Sequence, residues 1–150
     1  MDRNEILLQV KKYFGIEELV CKDVANKWGE RAWDFLDTDL LHILLVLRRD
    51  ILKTSLVCND YKWGGKNTQR GLRCNRCELV RTKTTPYLSM HIFGKAVDLV
   101  SKNMTASKMR ELIKANANLL PCKVRVEDGV TWLHIDTNNH TENKIQLFKA

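Results

Sequence analysis

No stretch of this chain stays apolar for long enough to cross a bilayer. The longest run, LLHILLVL at 40–47, is closed by Arg48 and Arg49, whereas a spanning helix needs about 20 apolar residues. Membrane insertion is therefore not expected, and the run reads as a buried helix. The N-terminus, MDRNEILLQVKK, mixes acids and bases with its apolar residues. It lacks the uninterrupted apolar core and small-residue cleavage site of a signal peptide, so secretion by a signal of its own is not expected. The cysteines, at 21, 58, 74, 77 and 122, are odd in number and lack the even, dense spacing of a secreted disulfide scaffold. A reducing compartment fits them better. Acids are short as well: 18 against 25 bases gives a net charge of +7 with neutral histidines. Such an excess favours an anionic partner, whether nucleic acid, an anionic membrane surface or a carboxylate-bearing wall polymer.

What is present is the composition of an ordinary globular protein, 44% hydrophobic and 29% charged over 150 residues, which suits one domain spanning 1–150. Residues 1–53 read as helical. Ile6, Leu7, Val10 and Tyr13 recur at helical spacing over 3–13, with Gly15 as a stop. Val24, Ala25, Trp28 and Ala32 mark a second helix over 22–33. A third begins at Asp37 or Thr38, either a fitting N-cap, and carries the apolar run to Leu52, with His42 as a core or boundary histidine. Residues 54–150 read as sheet and loop. TSLVC at 54–58 and KAVDLV at 95–100 suit strands, and Thr105 can cap a crossover helix that ends before Pro121. KVRVEDGVTWLHID reads as a hairpin closed by a two-residue turn at Asp128-Gly129, and KIQLF at 144–148 as a further strand. The fold class is α+β: a mainly antiparallel sheet with the N-terminal helices packed on one face.

Much of the positive charge is local, in Lys62, Lys66, Arg70, Arg73, Arg76, Arg81 and Lys83. The turn-rich segment NDYKWGGKNTQRG lies there and mixes Tyr61 and Trp63 with bases, as a binding wall would. CNRC, Cys74 to Cys77, has the spacing of half a structural zinc site, with Cys58 as the candidate third thiolate, but a lone pair of this kind is a weak signal and no fourth ligand stands at a fitting spacing.

HIFGKAVD at 91–98 raises a sharper possibility. His91 and Asp98 are seven apart, so one regular strand would put them on opposite faces; Gly94 can break the strand and let His91 approach from a loop. Alternation then sends Val97 and Leu99 to the core and Asp98 to the other face. In the later strand it sends Leu133 and Ile135 inward and Trp132, His134 and Asp136 outward. His91, Asp98 and His134 thus share one face, a set of three protein ligands that leaves Zn²⁺ a fourth position for chemistry.

SMHIFGKAVD at 89–98 carries the pattern Ser-x-His-x-x-Gly-x-Ala-x-Asp and resembles the LAS metallopeptidases, the superfamily of D-Ala-D-Ala carboxypeptidases, phage L-alanyl-D-glutamate endopeptidases and Hedgehog. WLHID at 132–136 resembles that family's later metal-binding strand, and QRGLRCN at 69–75 its upstream segment with a carboxylate-binding arginine. WGGKNTQRGLRCN followed by the zinc motif is similar to a single-domain group from bacterial viruses and prophages. The resemblance implies one catalytic Zn²⁺ on His91, Asp98 and His134, with Ser89 beside it. It implies Arg73, or else Arg70, as the clamp on a substrate carboxylate, with Trp132 lining the site. The family's acid three residues before the last histidine is replaced here by Thr131; Glu127 is the expected general base, with Asp128 and Asp136 as alternatives.

The implied activity is hydrolysis of amide bonds in peptidoglycan stem peptides or cross-links, as a carboxypeptidase or endolysin-like endopeptidase. The resemblance further implies a monomer made in the bacterial cytoplasm of a phage host and acting at the wall or periplasm after release. Two other readings stay open: a catalytically weak zinc-fold module that binds wall peptide or protein, and a nucleic-acid site on the basic loop.

Overall fold

A computed structural model describes all 150 residues, and they form an α+β fold. Helix α1 (Arg3–Val10) starts at an Asp2 cap whose carboxylate accepts from Glu5 N–H, and it buries Ile6 and Val10. After the short α2 (Ile16–Leu19), α3 (Lys22–Trp28) stops earlier than its apolar spacing suggests. Gly29 takes a positive φ of 53° there, and the chain continues as a 3₁₀ turn over Gly29–Phe35. Asp37 caps α4 (Thr38–Val46), accepting from the Asp39 and Leu40 amides. The last turn of α4 widens into a π-turn at Leu47–Ile51. The apolar run at 40–47 is the central core helix: Leu40, Leu41, Ile43, Leu44, Leu45 and Leu47 are fully buried, and His42 is half-buried at its edge.

Beyond the basic loop and its one-turn helix α5 (Glu78–Arg81) come β1 (Ala96–Leu99), α6 (Ala106–Ala115), β2 (Val124–Glu127), β3 (Leu133–Asp136) and β4 (Ile145–Phe148). Thr105 caps α6 as its sequence predicts, accepting from Lys108 N–H. The strand order is β1-β3-β2-β4, with β1 and β2 antiparallel to β3 and β4 parallel to β2. The sheet is therefore mixed, not mainly antiparallel. β4 returns through the long 137–144 connection instead of a hairpin, and that lets it run alongside β2 in the same sense.

Val97, Leu99, Val124, Val126, Leu133 and Ile135 join the helices in one apolar core, so the sheet has a helix-covered face and an opposite face, as strand alternation requires. Two expected details differ. TSLVC forms only an isolated bridge, Val57 to Val100, because β1 ends at Leu99 and Asn59 is drawn off to bond Val20 O and the Arg70 amide. The hairpin turn is wider than two residues. Arg125 pairs with Asp136 and Val126 with Ile135, leaving 128–132 as the connection. Arg110 of α6 holds that connection open, donating to Val130 O at 3.1 Å and Trp132 O at 3.2 Å.

Candidate metal centre

The sheet face away from the helices carries the site. Asp98 on β1 and His134 on β3 are direct cross-strand neighbours. His91 enters from a 3₁₀ turn, Met90–Phe93, whose N-cap Ser89 accepts from the His91 amide at 3.3 Å. Gly94 ends that turn at φ 68°, and a Cβ there would sit 2.1 Å from the Phe35 carbonyl oxygen. Only glycine fits both constraints. The strand is broken where the His91–Asp98 spacing demands, and the His91 ring swings in over β1.

One atom each of His91, Asp98 and His134 lies within 4.8 Å of the other two, and all three side chains are buried. Their hydrogen bonds define which atoms face inward. His91 Nδ1–H donates to Gly71 O at 2.9 Å, so Nε2 is the ring atom that faces Asp98 Oδ2, 3.3 Å away. His134 Nε2–H donates to Asp136 Oδ2 at 2.8 Å, which leaves Nδ1 facing Asp98 Oδ1 at 2.9 Å. Arg125 in turn grips Asp136 with two bonds of 2.9 and 2.8 Å. Each imidazole is thus oriented from behind by an oxygen acceptor, as metal-binding histidines are.

Electrostatics fit a cation. Burial alone would raise the Asp98 carboxyl, but hydrogen bonds from His134 and His91 outweigh it and hold Asp98 well below the usual carboxylate range. Burial alone would lower the His134 imidazole, yet its bonds to Asp136 and Asp98 raise it to about 9. In the metal-free chain a proton therefore sits between His134 Nδ1 and Asp98, at the place a cation would take. Two nitrogens and a carboxylate oxygen, converging and supported from behind, suit zinc.

Around this point lies a cleft of about 330 Å³ lined by Arg73, Tyr87, Ser89, Arg125, Glu127, Trp132 and Phe148 besides His91, Asp98, His134 and Asp136. The structure brings together most of the residues singled out by sequence. Arg73 is fixed at the edge: Nη1 donates to Tyr87 Oη at 2.8 Å, Nε to Gln69 O, and Nη2 lies 3.6 Å from Asp98 Oδ2. Arg70 lines the adjoining depression with Lys66, Arg73, Asp98 and Trp132, so the basic loop opens directly onto the metal group. Glu127 is the half-buried carboxylate on the cleft wall, one position beyond the Val126–Ile135 pair and so alongside His134.

Asp128 stands apart, its carboxylate 3.7 Å from Arg110 Nε. Thr131 lines a larger cleft of about 820 Å³ with Arg110, and that cleft has neither acid nor imidazole. Tyr87, Arg125 and Phe148 are site residues that sequence reasoning missed. Phe148 meets the His134 ring edge-on at 5.5 Å and carries the Arg125 guanidinium 4.4 Å above it. Of these, Arg125 alone left a visible signal, its even spacing from Glu127 on β2.

A second candidate metal group lies elsewhere: Cys21, Cys74 and Cys77, with their sulfurs within 4.8 Å of one another. Cys58, expected as the third thiolate, is instead sealed in the core, and Cys21 takes its place. No family model, curated protein or solved structure matches the chain.

Proposed function

We propose that the protein is a zinc-dependent peptidase that hydrolyses amide bonds in peptidoglycan stem peptides or cross-links, as an endolysin-like enzyme does. The observation that carries this reading is the convergence of His91, Asp98 and His134 on one wall of a cleft whose other walls hold Glu127 and Arg73. Zinc bound there would supply Lewis acidity that polarises an amide carbonyl and acidifies a water.

The chain's own residues do the rest. Glu127 faces the cleft with a free carboxylate, takes the proton of the attacking water and returns it to the leaving amine. Asp136 is unsuited to the role of base, being 0% exposed and engaged by both His134 and Arg125. Asp128 is held by Arg110 on the far side of the loop. Arg73, with its guanidinium held by Tyr87 and Gln69, presents positive charge to a substrate carboxylate, and Lys66 and Arg70 extend that charge along the cleft. Trp132, 37% exposed, offers an apolar ring at the rim.

Glu127→Gln tests the assignment of the base. It keeps shape and removes basicity, so release of peptides from purified peptidoglycan is expected to fall about 10²–10⁴-fold, with bound zinc unchanged. Undiminished release would remove Glu127 from the mechanism.

A further inference from the structure

Three thiols that the peptidase reading does not use, Cys21 and the distant pair Cys74 and Cys77, lie close in space. Backbone pairing brings them together: Leu72 N–H donates to Leu19 O at 2.9 Å and Cys21 N–H to Leu72 O at 3.0 Å. Gly71 permits this approach, since a Cβ there would lie 2.1 Å from Leu19 O. Cys21 then stands at the start of α3, and Cys74 and Cys77 flank a turn closed by Cys77 N–H to Cys74 O at 3.1 Å. Cys21 and Cys77 are buried, Cys74 is half-buried, and none is in a disulfide.

We propose that Cys21, Cys74 and Cys77 form a second Zn²⁺ site, distinct from the histidine centre, with a solvent-derived fourth ligand on the Cys74 side. Tetrahedral Zn–S bonds of about 2.3 Å place sulfurs about 3.8 Å apart, so a trio within 4.8 Å needs only slight contraction. A disulfide would join two of the sulfurs and strand the third. Thiolate-rich sets select soft cations, and the two-residue spacing of Cys74 and Cys77 is that of zinc-binding cysteine pairs. On binding, each thiol gives up its proton to solvent and three thiolates with Zn²⁺ carry a net charge of −1, set within the run of Arg70, Arg73, Arg76, Arg81 and Lys83 that offsets it. Arg76, between the two paired cysteines, already reaches Asp23 at 3.3 Å, tying the same two segments together from outside.

The site has a mechanical consequence. The segment it fastens to the N-terminal helices includes Gly71, whose carbonyl orients His91, and Arg73, whose amide donates to His91 O at 3.1 Å.

The test uses full-length protein purified in reductant. In His91→Ala, which lacks the other centre, Co²⁺ is expected to bind at one equivalent with a sulfur-to-metal charge-transfer band in the near ultraviolet, and Zn²⁺ to displace it. In wild-type protein, which does not depend on that variant folding, Zn²⁺ is expected to protect Cys74, the half-buried thiol of the three, from alkylation and leave the half-buried Cys122 unaffected, as mapped by mass spectrometry, with protection lost on chelation. Absence of the thiolate band, equal alkylation with and without Zn²⁺, or a Cys74–Cys77 disulfide in the reduced preparation would each overturn the proposal. None of these outcomes depends on peptidase activity.

Discussion

His134 is held between two carboxylates, Asp98 at 2.9 Å and Asp136 at 2.8 Å, and much of the site's behaviour follows from that placement. In the metal-free chain its pKa rises from 6.5 to about 9, so the folded state binds this proton more tightly than the unfolded one. The stabilisation is fully present below about pH 6.5 and is lost as pH rises through about 9. Asp98 and Asp136 are held below their usual 3.8, so their contribution is present above that value and fades as acid protonates them. The melting temperature of metal-free protein is therefore expected to fall from about pH 6.5 to 9, while zinc affinity rises over the same range because the competing proton leaves. A flat profile in both measurements would count against the His134–Asp98 geometry. Asp136→Asn keeps the shape but weakens the bond that orients His134, and is expected to cost about 10–100-fold in zinc affinity by titration calorimetry.

At the scale of elements, alternation was the most legible feature. Val97 and Leu99 against Asp98, and Leu133 and Ile135 against His134, place Asp98 and His134 on one face by a period of two alone, and the structure has them there as cross-strand neighbours. Turn length was less legible. Asp128-Gly129 suggested a two-residue turn, but Arg110, distant in sequence, holds a longer connection over 128–132. The register moved by an even number of residues, so every side chain kept its face while Glu127 came from several residues away to a place beside His134. The reach of Glu127 into the cleft was thus hidden in a helix residue, not in the hairpin. The strand expected at TSLVC failed for a similar reason, since Asn59 is held by Val20 and Arg70 from other segments. Gly94 was legible in role but not in its contact with Phe35. Gly94→Ala meets both a left-handed φ and a backbone carbonyl, and is expected to destabilise the fold by about 2–4 kcal/mol in urea unfolding. A loss under about 0.5 kcal/mol would mean the turn is not as described.

Across the whole molecule, the helices supply a core that the sheet covers on one side, and the sheet's other side carries the cleft. No helix is long and apolar enough to cross a membrane. The excess of positive charge gathers beside the metal group, where Lys66, Arg70 and Arg73 line the approach to Asp98. On the proposed reading, that charge would meet the carboxylate of an acidic peptide. On the proposed reading, the His91, Asp98 and His134 group holds a zinc ion with which the chain cuts wall peptides. The most direct test of this is mass spectrometry of purified peptidoglycan incubated with zinc-loaded protein, beside chelator-treated protein and the His91→Ala variant. The account predicts new amino termini and released peptides with the zinc-loaded chain alone. Wall peptide bound but never cleaved, or cleavage that survives both chelation and His91→Ala, would contradict it.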